Sequence, residues 1–569
     1  MRSAPDTHYD VLILGGGING AGVFRDLCLQ GVKCLLIDAD DFCAGASAGP
    51  SRLIHGGIKY LETGEFRLVA QSTLERNLLL RNAPHYVKPI ETVLPMRSWL
   101  GGIAPSVIRF FGGQAKMRDR GLLICKLGLE MFDHFGRRRR VLPRHSVSLM
   151  GATRRAFPDM ADDIVATASY FDARVTHAER LGLELALDAM AANPASLAIN
   201  HCGATGRQGG AIELTDRVSD MKYLVTAKVI LNAGGAWIDR VNAALGLKTR
   251  YIGGAKGSHL ILDNPALLQA LDGKMIYFGA SDGRVGLLYP FFGKVLIGST
   301  DVPIDDPDLA VCEAFERDYM LAITREVFPR LEIAADQVRY VYCGVRPLPR
   351  SDTANPSAVS RDHSIAEDRL PETGVLVLSL IGGKWTTFRG FAEEAADRAL
   401  SALGRIRLRS TKDEPIGGGR NYPQDERERA ALLAELGVNA ERGEALIERY
   451  GARAREVARA LTAGPDAPLR SAPDYSVNEI AFLFTHELVV RLADVVFRRT
   501  DLALSARLTP EVAREIGKIG AATQGWDGRR LDEELADVAT LAWRKNAIAD
   551  FDPATPKRAT EARTREEQL

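Results

Sequence analysis

Two short stretches of this 569-residue chain set polar side chains beside paired glycines, as a protein does when a ligand must approach its main chain. In Arg52-Leu53-Ile54-His55-Gly56-Gly57-Ile58-Lys59-Tyr60, a guanidinium, an imidazole, an ammonium and a phenol surround Gly56-Gly57. In Ile381-Gly382-Gly383-Lys384-Trp385-Thr386-Thr387, an apolar strand turns through two glycines into a helix start, where threonine is a good cap and the dipole end points back over the glycines. Three more candidates stand between them. His259, in Lys256-Gly257-Ser258-His259, falls in an alternating stretch that reads as sheet, so it sits on rigid structure, where a catalytic base is needed. Arg346 stands between Val345 and Pro347; proline disfavours the helical conformation of the residue before it, which holds Arg346 extended with a defined direction. Arg361 follows fifteen positions later.

The element that must position these groups lies at the N-terminus. The apolar run Val11-Leu12-Ile13-Leu14 leads into Gly15-Gly16-Gly17-Ile18-Asn19-Gly20, then a helical stretch to Leu29, then Cys34-Leu35-Leu36-Ile37 ending in Asp38. This reads as strand, Gly-rich turn, helix, strand. Gly15 allows the tight turn, Gly17 lets the chain approach a pyrophosphate, Gly20 lets the helix pack on the strand, and Asp38 stands where a carboxylate accepts from a ribose. The motif sees only the ADP half of a dinucleotide, so NAD and FAD are both open at this point. Next comes Cys43-Ala44-Gly45-Ala46-Ser47-Ala48-Gly49-Pro50-Ser51, too small in side chain to form core and suited to lie against something flat or charged.

Residues near 62–82 have helical periodicity, with Leu68, Leu74, Leu78 and Leu79 as the apolar face. A helix is expected from Tyr170-Phe171-Asp172-Ala173-Arg174 to about Met190. Residues 227–231 read as a buried strand entering Asn232-Ala233-Gly234-Gly235, a second contact between the sheet and its ligand. Residues 252–341 alternate as an antiparallel sheet, a substrate layer between two pieces of a nucleotide domain. The division expected is a dinucleotide-binding module over 1–404, with nucleotide parts about 8–80, 160–250 and 342–404 and substrate parts about 81–159 and 251–341. A Gly/Pro linker over 405–425, an all-helical region over 426–548 rich in Ala, Leu, Glu and Arg, and a polar, disordered tail over 549–569 complete it.

Composition narrows the function. Acidic and basic residues number 73 each, which removes any global electrostatic case for nucleic acid. Mean hydropathy is −0.09. Seven scattered cysteines without a CxxC pair suit a reduced cytosolic setting and argue against a disulfide framework, a zinc site or any other metal centre. No signal peptide opens the chain, and no run of about 18 uncharged apolar residues occurs. Residues 99–111 and 122–135, apolar and aromatic, precede Arg137-Arg138-Arg139-Arg140, a pairing that suits the face of an anionic bilayer.

Taken in order, Gly15 to Gly22, Leu53 to Glu62, Lys256 to His259, Gly344 to Leu348, Arg361, Gly382 to Thr387 and the segment His486-Glu487-Leu488-Val489-Val490-Arg491 through Thr500 resemble the FAD-dependent glycerol-3-phosphate dehydrogenases, within the D-amino-acid-oxidase-like flavoproteins. The resemblance spans roughly residues 8–545. It implies an α/β fold with a discontinuous Rossmann-like FAD domain, an antiparallel-sheet substrate domain and a C-terminal helical domain. It also implies non-covalent FAD, oxidation of sn-glycerol 3-phosphate to dihydroxyacetone phosphate, and a membrane quinone, ubiquinone or menaquinone, as acceptor at the inner face of the cytoplasmic membrane; a homodimer is compatible with it. By matching position, Arg346, Arg361 and Lys384 line the substrate site with His55, Lys59, Tyr60 and His259. The cofactor falls to Gly15, Gly17, Ile18, Asn19, Gly20, Asp38, Ser47, Ser51, Arg52, His55, Gly56, Gly234, Gly383, Lys384, Trp385 and Thr386. Arg52 and Lys59 exchange the family's usual lysine and arginine, so a bidentate grip at position 59 is lost.

A phosphate dianion taken out of water needs several cations or N–H groups, which Arg346, Arg361 and Lys59 can supply. The hydroxyl proton needs a base, and His259 is expected in that role, with His55 in reserve. Lys384 and the helix start at Thr386 are expected to face the flavin N1 and C2 carbonyl. An oxygen-using glycerol-3-phosphate oxidase, an amine or amino-acid oxidase of the same fold, and a non-catalytic FAD-binding protein are the alternatives.

Overall fold

The computed structural model describes residues 4–101, 121–137, 139–350 and 363–554, with the backbone alone at 59, 62 and 63. Val11 to Leu14, apolar on both sides, belong to the strand His8–Leu14 at the centre of a parallel sheet, where both faces are covered. The parallel order is Leu376–Ile381, Lys222–Asn232, His8–Leu14, Cys34–Ile37, Leu197–Ile199, with Ser364–Arg369 antiparallel at one edge. Helices Ile18–Leu29, Ala178–Ala192 and Phe388–Ala402 cover one face, packing Phe24, Leu27, Leu183, Phe391 and Ala395 on Val11, Ile13, Leu36 and Leu231. Gly22 makes this close approach feasible: a methyl group there would lie 2.9 Å from Phe388. The hairpin of Cys202–Gln208 and Ala211–Asp216 helps cover the other face. Gly15, Asp38, Gly234 and Gly382 all follow the carboxyl ends of parallel strands, where such sheets bind ligands.

The second sheet has ten strands, antiparallel except for the pairing of Met275–Gly279 with Val87–Met96. Near one edge Ala255–Leu262 lies between Lys294–Gly298 and Val338–Arg346, and the far end is formed by Val87–Met96, Ala166–Val175 and Leu53–Ile54. Tyr170 to Arg174 correct the expectation of a helix there: they are strand, paired residue for residue with Val87–Met96, and the helix starts only at Ala178. Aromatic and small residues fit a pleated, half-buried surface, and the partner strand decides the matter. The helix expected at 62–82 runs over Phe66–Asn82, after a 3₁₀ turn at Ile58–Thr63, and buries Leu68, Leu78 and Leu79.

From Glu426 to Phe551 the chain is helical, as its spacing predicts, with side-chain caps from Asp425, Asn439, Ser476, Thr509 and Asp527. This region is joined to the rest by a shared core: Tyr450, Leu483, Val495 and Phe497 cluster with Ile261, Tyr289, Tyr340 and Tyr342 of the second sheet. Residues 405–425 run pinned along the nucleotide part. Gly417 N donates to Asp188 (3.1 Å), Gly418 N to Glu184 (3.1 Å) and Arg407 Nη1 to Asp26 (2.8 Å). The tail expected at 549–569 lies outside the described residues from 555 on.

Candidate active site

Three loops build one cradle. Gly15 has φ 106°, and a methyl group on it would lie 2.5 Å from Ala233 O, so only glycine turns the chain here. The next residue's amide, Gly16 N, donates to Asp38 Oδ2 (2.6 Å), while Asp38 Oδ1 accepts from Asp40 N (2.9 Å). Burial pushes the Asp38 carboxyl up to about 7, against the lowering by the Asp40 and Gly16 amides. Ser47 ties the second loop to the first and third. Its Oγ accepts from Ile18 N (3.0 Å), and its carbonyl accepts from Trp385 Nε1 (3.1 Å). In the third loop Gly383, at φ 93°, passes so close to Asn19 that a methyl group would lie 2.5 Å from its Nδ2, which donates to Gly382 O (3.3 Å). Asn19 Oδ1 is buried without a hydrogen-bond partner among the described residues. The first-turn amides of Asn19 and Gly20 have no acceptor within their own helix, the usual seat of a pyrophosphate. Gly234 closes the cradle after Lys222–Asn232, its amide held by Asn232 Oδ1 (3.1 Å).

The second wall comes from the ten-stranded sheet and the turn that follows Leu53–Ile54. Thr386 Oγ1, one residue before the helix N-cap Thr387, accepts from His55 N (3.1 Å) in place of capping its own helix, and Thr387 makes no side-chain cap either. Lys384 Nζ lies 4.0 Å from the Tyr60 ring centroid, and the His55 and Tyr60 rings are 6.3 Å apart. The Lys384 ammonium is buried and has no hydrogen-bond partner among the described residues. Gly382 N donates to Pro347 O (3.0 Å), which brings this turn beside Arg346 at the end of Val338–Arg346. Arg346 Nη1 meets Asp301 (3.0 Å), and its Nη2 donates to Thr300 O (3.2 Å).

His259 is a different kind of residue from His55. It is almost wholly buried, bonded through Nε2 to Ser51 Oγ (2.8 Å) and stacked on Tyr342 at 4.9 Å. Burial first, then the charges of Arg346 and Arg52, push it down to about 3, so it stays neutral. His55 is only half-buried.

Arg52 turns away from the cradle: its guanidinium is buried against both carboxylate oxygens of Glu179, between the rings of Phe291 (5.6 Å) and Tyr342 (5.7 Å). The cation expected beside the ligand is thus a structural pair holding its loop to Ala178–Ala192. Ser51 stays at the junction, its carbonyl accepting from Tyr289 OH (2.9 Å). The structure therefore brings together Gly15 to Gly20, Asp38, Ser47, His55, Gly56, Tyr60 and Gly383 to Thr386, with Arg346 and Ser51 alongside. Arg361 and the side chain of Lys59 lie outside the described residues. Sequence reading missed Asp172, which accepts from Gly56 N (2.8 Å), and Glu179; a lone acid in the run Ala166–Val175 is the only local signal for the first. Asp41, His201 and Asp494 have metal-like spacing, but Arg498 and Arg499 already occupy the two carboxylates.

A cradle with open helix-end amides, a buried acid at a strand end, and an amide oxygen and a buried ammonium without hydrogen-bond partners among the described residues fits FAD. Comparison with known proteins agrees. Residues 10–398 match the family "FAD dependent oxidoreductase", and residues 409–531 match "C-terminal domain of alpha-glycerophosphate oxidase". A glycerol-3-phosphate dehydrogenase of Synechocystis sp. is 33% identical over 532 residues, covering 89% of this chain and 91% of that one. A D-erythritol 1-phosphate dehydrogenase of Brucella abortus is 30% identical over 511 residues, covering 86% and 94%. The fold is shared with the crystal structure of a glycerol-3-phosphate dehydrogenase from Bacillus halodurans complexed with FAD, with a TM-score of 0.73 at 23% identity, covering 95% and 96%. The chain is an FAD-dependent oxidoreductase and belongs to the glycerol-3-phosphate dehydrogenase family.

Proposed function

We propose that this enzyme oxidises sn-glycerol 3-phosphate to dihydroxyacetone phosphate and hands the electrons to ubiquinone or menaquinone while resting on the inner face of the cytoplasmic membrane. The observation that carries the reading is the buried ammonium of Lys384. A lone cation out of water is expensive and persists where a ligand brings negative charge to it. Lys384 stands between the nucleotide cradle and Tyr60, where both an anionic cofactor edge and a phosphorylated substrate can meet it. Gly15, Gly17, Ile18, Asn19, Gly20, Asp38, Ser47, Gly234, Gly383, Trp385 and Thr386 would hold the cofactor. When bound, FAD supplies the acceptor for the hydride that leaves the secondary carbon.

The chain's own task is to grip the ester and take the hydroxyl proton. Arg346, fixed in direction by Asp301, is the described cation for the phosphate, joined by Lys59 and Arg361. Of the two imidazoles, His55 suits proton transfer better. His259 is sealed between Tyr342 and Ser51, and at about 3 it is far too weak a base for neutral pH. His55 is half-exposed at a glycine turn beside Tyr60 and Thr386. We therefore assign the base to His55 and give His259 the support of Ser51.

The membrane reading rests on surface chemistry. No helix among the described residues is long and apolar enough to cross a membrane. Trp99 (49% exposed), Leu100 (65%), Leu123 (57%) and Leu127 (64%) cluster where the turn at Trp99 meets the start of Leu122–Phe135, and Lys126, Arg137 and Arg144 are exposed nearby. A four-carbon polyol phosphate is the second reading, favoured by the D-erythritol 1-phosphate dehydrogenase among the relatives.

The test is steady-state turnover with glycerol 3-phosphate, D-erythritol phosphate and plain glycerol, with a soluble quinone or oxygen as acceptor. Quinone-dependent turnover of glycerol 3-phosphate without peroxide supports the reading; peroxide formed at the full rate makes the protein an oxidase, and preference for the erythritol ester moves the substrate. Sedimentation with anionic vesicles, lost in Leu123→Ser/Leu127→Ser, checks the surface.

A further inference from the structure

The turn His55-Gly56-Gly57 is fastened from two sides. His55 N donates to Thr386 Oγ1 of the nucleotide part (3.1 Å), and Gly56 N donates to Asp172 Oδ1 of the ten-stranded sheet (2.8 Å). These amides belong to the two peptide planes on either side of the His55 Cα. Fixing both planes fixes φ and ψ, and hence the direction of the Cα–Cβ bond. The direction in which the His55 side chain leaves the main chain is thus held by Thr386 and Asp172 jointly.

Asp172 is itself held. Its Oδ1 meets Arg76 Nη1 at 2.7 Å, both side chains are buried, and Arg76 Nη1 also donates to Phe171 O (3.2 Å). The Arg76 guanidinium lies 5.3 Å from the ring centroid of Phe132, and that ring closes the far side of the turn: a methyl group on Gly56 would lie 2.5 Å from Phe132 Cζ. A carboxylate that is buried, paired with a fixed arginine and aimed at one backbone amide has no freedom to serve a ligand directly.

We propose that Asp172 is a positioning residue that, through the Gly56 amide, sets the orientation of His55 towards the substrate hydroxyl. This rests on the assignment of His55 as the base. Removing Asp172 leaves cofactor binding intact and slows proton transfer, because a misplacement of about 1 Å costs up to about a hundredfold in rate.

Two double variants test it while avoiding an orphaned arginine: Arg76→Met/Asp172→Asn keeps an oxygen facing Gly56 N, and Arg76→Met/Asp172→Leu removes it at similar volume. In anaerobic single-turnover reduction of the FAD-loaded enzyme by glycerol 3-phosphate, the Asn double should be about ten- to a hundredfold faster than the Leu double. FAD content and the half-saturating substrate concentration should be the same in both. Equal rates would overturn the assignment, as would a loss in the Leu double matched by lost FAD. A His55→Ala enzyme that reduces at the native rate would remove the base itself, whereas a slow His55→Ala enzyme beside two equal doubles would remove only the positioning. If the Leu double does not fold, amide hydrogen exchange on the native holoenzyme decides. The amides of His55 and Gly56 should exchange as slowly as those of the sheet, and exchange at loop rates would overturn the proposal.

Discussion

Two regions of the molecule bury charge, and they are built on opposite rules. Around Asp41 every charge is matched. Arg499 meets both its oxygens (2.7 and 2.8 Å), Arg498 bridges Asp41 and Asp494, His201 meets Asp494 (3.0 Å), and Arg180 grips both oxygens of Glu487 at 2.7 Å. Around Gly382 to Thr386 the buried ammonium of Lys384 lies over the face of Tyr60 and has no hydrogen-bond partner among the described residues. The matched network fastens the helical region to the nucleotide part and holds no charge in reserve. We propose that the cation left without a charged partner among the described residues is completed by a ligand in the holoenzyme. Burial of charge alone is therefore no guide to function here; the missing partner is.

Substitutions on the two sides should separate stability from chemistry. His55→Ala should slow flavin reduction by about 10²- to 10⁴-fold in stopped flow, the loss typical of a missing general base, with FAD content unchanged. Glu487→Ala leaves Arg180 buried without its carboxylate and should cost about 3–5 kcal/mol in chemical denaturation. The rate per folded molecule should hardly move, and a loss of rate without a loss of stability would blur the contrast. Lys384→Met should do the reverse, slowing reduction by about ten- to a hundredfold while leaving the FAD-free protein no less stable, since an unpaired buried cation has gone. A Lys384→Met protein that unfolds early would give the lysine a structural role.

The smallest effect concerns pH. His177 and His259 are both pushed down to about 3 by burial, against 6.5 in an open chain. Between those values the unfolded chain binds protons that the fold excludes. Their contribution is thus complete above about pH 6.5 and is lost on acidification, at about 1.4 kcal/mol per pH unit for each histidine. Denaturation at stepped pH from 7 to 5 should show that slope, shallower in His177→Phe; a flat profile would mean the imidazoles are not buried neutral.

How far the sequence carries follows from distance along the chain. The cradle from Gly15 to Asp38 is legible because its turn, helix and acid lie within one local unit, and the turn at Gly382 to Thr386 for the same reason. Arg52 was expected beside the ligand because it stands next to a glycine pair, yet its partner Glu179 lies 127 residues away on a helix that no local pattern links to it. Asp172 escaped for a like reason, since its Arg76 is 96 residues distant and its strand takes its identity from Val87–Met96. His259 was expected as the base with His55 in reserve; what the sequence does not show is the burial against Tyr342 and Ser51 that favours His55, at the turn, for that role.

The central claim, that a flavin and an unpaired cation together await a small phosphorylated alcohol, is tested most directly by mixing the FAD-loaded protein with substrate under nitrogen and following the yellow colour. Rapid bleaching by sn-glycerol 3-phosphate, with little by plain glycerol and little in Lys384→Met, is the predicted result. A colour that persists with every polyol phosphate, or that bleaches equally with unphosphorylated glycerol, would contradict it.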